Sequence, residues 1–100
     1  MGITIYAPGI ELKITDVNKV NFACNAATSI MDSIFYEDEL KNDVITVHSS
    51  EGYCIAEVSL RANPENGMLK GFMVLNKWYC LPDAKDVIEN IISEELFESE

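Results

Sequence analysis

His48 is the chain's one histidine, and Cys24, Cys54 and Cys80 are its only thiols. A Cys/His nucleophile pair needs the imidazole within hydrogen-bond reach of a thiol. Cys54 is the one candidate, because a turn at Ser50-Glu51-Gly52 returns it roughly opposite Ser49 or His48. A lone strand histidine is usually an edge or surface residue, and a small buried hydrophobe is the default role of a cysteine. A cysteine-dependent enzyme is therefore the least favoured reading, no catalytic residue is assigned, and the chain is read as a non-enzyme.

Metal and cofactor chemistry has as little behind it. The cysteines form no C-x-x-C pair, there is no histidine cluster, and the carboxylates lack the glycine-containing spacing of a calcium loop. The five glycines are isolated, so no phosphate-cradling loop is readable. No metal site and no cofactor are expected. An odd, dispersed set of cysteines fits a reducing compartment. No basic-then-apolar leader or apolar run of about 20 residues is present, which gives a cytoplasmic expectation and no membrane contact.

The carboxylates are the informative residues. The formal net charge is −10, of which −4 falls in residues 32–43 and −6 in residues 83–100, while the rest of the chain balances. Such a field repels nucleic acid and anionic membranes and attracts cationic surfaces. The seven lysines and arginines are scattered, so direct nucleic-acid binding is not expected.

The elements that must position these acids follow from periodicity. Ile3 and Ile5, then Ile10, Leu12 and Ile14, alternate around Pro8-Gly9 and read as a hairpin. Thr15 or Asp16 caps a helix whose stripe runs through Val17, Val20, Ala23, Cys24, Ala27, Ile30, Met31 and Ile34, ending near Tyr36. Residues 44–80 read as a three-stranded antiparallel meander with turns at Ser50-Glu51-Gly52 and Asn63-Pro64-Glu65-Asn66-Gly67. Its third strand runs on to Trp78 and Cys80 and is apolar on both sides. Leu81-Pro82-Asp83 then caps a second helix with Ala84, Val87, Ile88, Ile91 and Ile92 inward. The order is ββαβββα, an α+β fold in which an antiparallel sheet packs with two amphipathic helices.

Placed on those elements, Asp16, Asp83 and Asp86 sit at helix N-termini, where the macrodipole favours them. Glu37, Asp38 and Glu39 follow the end of the first helix, and Glu94, Glu95, Glu98 and Glu100 crowd the end of the second, where it opposes them. Continuing the inward stripe from Ile88 and Ile92 points to Glu95 as the next core position, with Leu96 and Phe97 turned aside as apolar anchors in an acidic segment. Residues 1–93 are thus read as one domain and 94–100 as an acidic helix end or tail.

The expected function is that of a small acidic inhibitor that occupies a basic, nucleic-acid-binding type of surface on a partner protein. Phage inhibitors of bacterial defence and immunity proteins against nuclease toxins are classes that suit such a surface. Its expected partner-binding residues are Glu37, Asp38, Glu39, Asp43, Glu89, Glu94, Glu95, Leu96, Phe97, Glu98 and Glu100. The alternative is a homo-oligomeric structural or adaptor domain, dimeric through the two-sided third strand or the neutral polar face of the first helix.

Overall fold

The computed structural model describes residues 2–36, 44–65, 67 and 69–98. Six strands form one antiparallel sheet: β1 (Ile3–Ala7), β2 (Ile10–Ile14), β3 (Val44–Ser49), β4 (Cys54–Ala62), β5 (Lys70–Val74) and β6 (Lys77–Tyr79). They lie in the order β2-β1-β3-β4-β5-β6. Two helices, α1 (Val20–Phe35) and α2 (Leu81–Glu98), complete a single α+β domain with the expected element order.

The alternation of each strand decides which side the helices take. Ile3, Ile5, Ile14, Ile45, Val47, Ala56, Val58, Leu60, Phe72 and Val74 are buried and lie on one face. They form one core with Ala23, Ala27 and Met31 of α1 and Ala84, Ile88, Ile92 and Leu96 of α2. The other face of the sheet carries Thr4, Tyr6, Thr46, His48, Glu57, Met73 and Trp78, and among the described residues no helix covers it.

The third meander strand is not continuous. Leu75-Asn76 forms a two-residue turn with Leu75 at φ 57, and Val74 pairs with Lys77, so β6 folds back along β5. Phe72 and Val74 belong to the core, and Trp78 turns to the open face opposite Met73. The single strand expected there is two strands, with Phe72, Val74 and Tyr79 on the core side and Met73 and Trp78 on the open face. The fold also needs Gly71, since a Cβ there would stand 2.3 Å from the Trp78 ring, whose Nε1 donates to the Arg61 carbonyl at 3.1 Å. Glycine lets the indole lie flat across β5 and tie β6 to β4.

The start of each helix differs from the simplest reading. Asp16 Oδ1 accepts from the Asn18 N–H at 2.9 Å and opens a short 3-10 turn, Val17–Lys19, that leads into α1. α2 begins at Leu81, so Asp83 lies inside its first turn, where its carboxylate accepts from the Cys80 thiol at 3.2 Å.

Candidate functional site

α1 and α2 run antiparallel. Asp32, late in α1, pairs with Lys85, early in α2, at 2.5 Å. Cys24, early in α1, donates to the Glu89 carbonyl at 3.8 Å and lies 3.9 Å from Ser93 Oγ. Burial pushes the Cys24 thiol pKa up; the Ser93 contact opposes this and the nearby Glu89 carboxylate adds to it. The last turn of α1 therefore lies beside the first turn of α2, and the last turns of the two helices are at opposite ends of the pair.

That geometry gives the end of each helix its own surroundings. At the end of α1 the chain supplies its own cation: Lys70 of β5 donates to the Phe35 carbonyl at 2.6 Å and sits 4.9 Å from the centroid of the Phe35 ring. An ammonium against a terminal carbonyl is the contact that the macrodipole favours. The last turn of α2 contains no basic residue.

The expected binding residues divide accordingly. On α2, Glu94 is exposed, Glu89 and Glu95 are half-buried, and Phe97 is 55% exposed. Leu96 is 2% exposed and belongs to the core, which corrects its reading as a side-facing anchor. The inward stripe steps by four at each turn, Ala84, Ile88, Ile92 and Leu96, rather than by three to Glu95. α2 accordingly stays packed on the domain past residue 93 and continues to Glu98. Glu37, Asp38, Glu39, Asp43 and Glu100 lie outside the described residues, as does the side chain of Glu98.

Charge is partitioned between the two layers. The helices carry seven carboxylates, Asp32, Asp83, Asp86, Glu89, Glu94, Glu95 and Glu98, against Lys85 alone. The strands carry Lys13, Arg61, Lys70 and Lys77 against Glu11 and Glu57. Asp83, Asp86, Asn90 and Glu94 are all exposed and, at steps of three and four, share the outer side of α2. The one ion pair between described residues of this layer is Asp32–Lys85.

The Cys/His constellation is brought together in register only. His48 pairs with Cys54 across a bulge between Val47 and His48. His48 Nε2 contacts Thr46 Oγ1 at 3.2 Å with the Tyr6 ring edge-on at 5.1 Å, while the Cys54 thiol donates to the Ala56 carbonyl at 3.5 Å. Among the described residues no hydrogen bond joins the two, and no group of three or more His, Cys, Asp or Glu is disposed to hold a metal.

The sequence reading missed a shallow concavity of about 540 Å³ at one end of the open sheet face, lined by Thr4, Tyr6, Lys13, Thr15, His48 and Ser49 among others. Period-two alternation holds the signal, since the outward residues of β1, β2 and β3 are the ones that meet there. Comparison of the chain with protein-family models, with curated proteins and with solved structures finds no match.

Proposed function

We propose that this is a small acidic binding protein that docks the outer side of its helical layer onto a cationic surface of a partner protein, acting as an inhibitor by occupying that surface. The observation that carries the reading is the partition of charge between the layers, with α2 presenting Asp83, Asp86 and Glu94 outward. Like charges three or four residues apart cost a helix a few tenths of a kcal/mol each, roughly 0.2–0.5. Acids at the C-terminal end of α2 add an unfavourable interaction with the dipole that no residue of its last turn offsets. A cationic partner would offset both. Phe97, exposed beside this acidic row, supplies an aromatic contact of the kind that anchors interfaces.

A basic nucleic-acid-binding surface is the partner chemistry that fits, because it already presents cations spaced to meet an anionic ligand. Binding rather than catalysis also accords with His48 Nε2 and the Cys54 thiol each contacting another group rather than one another. The experiment is affinity capture on the immobilised protein at low and high salt. A basic protein retained at low salt, shed at high salt and lost with Asp86→Asn/Glu94→Gln supports the reading; retention indifferent to both contradicts it.

A further inference from the structure

The terminal strand β2 has a partner on one side only among the described residues, β1. It reads Ile10-Glu11-Leu12-Lys13-Ile14. Pro8-Gly9 is a two-residue turn with Gly9 at φ 74, closed by the Ala7–Ile10 pair. A closing pair in such a hairpin exchanges backbone hydrogen bonds, and bonded and non-bonded pairs alternate from there. Ile10, Leu12 and Ile14 thus turn their N–H and C=O groups towards β1, and Glu11 and Lys13 turn theirs to the free edge.

We propose that this edge is a homodimer interface in which β2 pairs antiparallel with β2 of a second copy, centred on Leu12. The register satisfies three independent conditions. Glu11 and Lys13, the residues with outward backbone groups, fall opposite each other, so four backbone hydrogen bonds form around a non-bonded Leu12–Leu12 pair. The same register sets each Glu11 carboxylate against the partner's Lys13 ammonium, two opposite-charge cross-strand pairs on the open face. Ile10, 46% exposed in the single chain, comes opposite Ile14 at the margin of the core.

The two-fold axis stands perpendicular to the sheet, so both helical layers lie on one side of a continuous sheet of twelve strands. The dimer presents two acidic helix faces in one direction, a bivalent form of the docking surface. Its existence does not depend on that surface having a partner.

Sedimentation velocity over a concentration series tests the pairing, with far-UV circular dichroism as the check on folding. Wild type is expected to form a concentration-dependent dimer. Glu11→Lys and Lys13→Glu, each placing like charges opposite one another at two positions, should weaken dimerisation by about tenfold or more. The double exchange Glu11→Lys/Lys13→Glu should restore it. A monomeric wild type, single variants that dimerise as wild type does, or a double exchange that stays monomeric would each overturn the proposal. Monomer is the outcome if Glu11 and Lys13 serve only to keep strand edges apart.

Discussion

Lys85, the single cation within α1 and α2, is held 2.5 Å from Asp32, so the helical layer's positive charge is turned inward between the helices while Asp83, Asp86 and Glu94 point out. The pair is partly exposed, and such pairs are worth about 0–1 kcal/mol. Lys85→Gln is expected to lower stability by no more than that in urea denaturation. The same substitution leaves one more uncompensated carboxylate on the layer, so binding of a cationic probe should strengthen.

The end of α1 depends on a residue 35 positions away in sequence, Lys70. Lys70→Met removes the ammonium from the Phe35 carbonyl and keeps most of the aliphatic stem. The expected loss is about 1 kcal/mol, and it should shrink in high salt if the charge rather than the packing is responsible.

Leu96 and Phe97 are neighbours with opposite fates. Leu96→Ala opens a cavity under the last turn of α2 and should cost about 2–5 kcal/mol. Phe97→Ala should cost under about 0.5 kcal/mol and act on partner binding instead. Paired chemical denaturation curves separate the two.

The buried thiol gives a pH signature. Folding raises the Cys24 pKa above the ordinary value of 9.0, so the folded state holds the proton more tightly than the unfolded chain. Stability from this source is fully present below pH 9.0 and is lost as pH rises through the raised folded value. Cys24→Ser should flatten that alkaline decline, measured as denaturation midpoints on either side of pH 9.0. In the native protein Cys24 should alkylate more slowly than the exposed Cys54 and Cys80.

The elements were legible in the sequence wherever one period governed them. The Val17–Ile34 stripe gave α1 together with the 3-10 turn that leads into it, the Ser50-Glu51-Gly52 turn gave the β3–β4 hairpin, and Asp16 gave a cap for that turn, because each of these is a local signal. What was lost turns on steps of a single residue. The β5–β6 turn is made by Leu75 at φ 57, a residue type that does not announce a turn, so two strands read as one. The bulge between Val47 and His48 carries the pairing from Ala56 to Cys54 and leaves Ile55 beside the core, although strict alternation with the buried Ala56 would turn it to the opposite face. Leu96 was misplaced because steps of three and four are equally helical, and only packing chooses between them. The acids were countable, but their collection on one layer needed the antiparallel pairing of the helices, and Lys70 at the end of α1 needed the sheet.

The central claim is that where the acids sit matters more than how many there are. The direct measurement is the affinity of an oligolysine peptide at low salt for two variants of equal net charge, Asp86→Asn/Glu94→Gln on α2 and Glu57→Gln/Glu65→Gln on the strand side. The account predicts that the α2 variant loses roughly three- to tenfold in affinity, from two exposed ion pairs, while the strand-side variant stays close to wild type. Equal losses in the two variants would contradict it, because the acidity would then act only as a net charge.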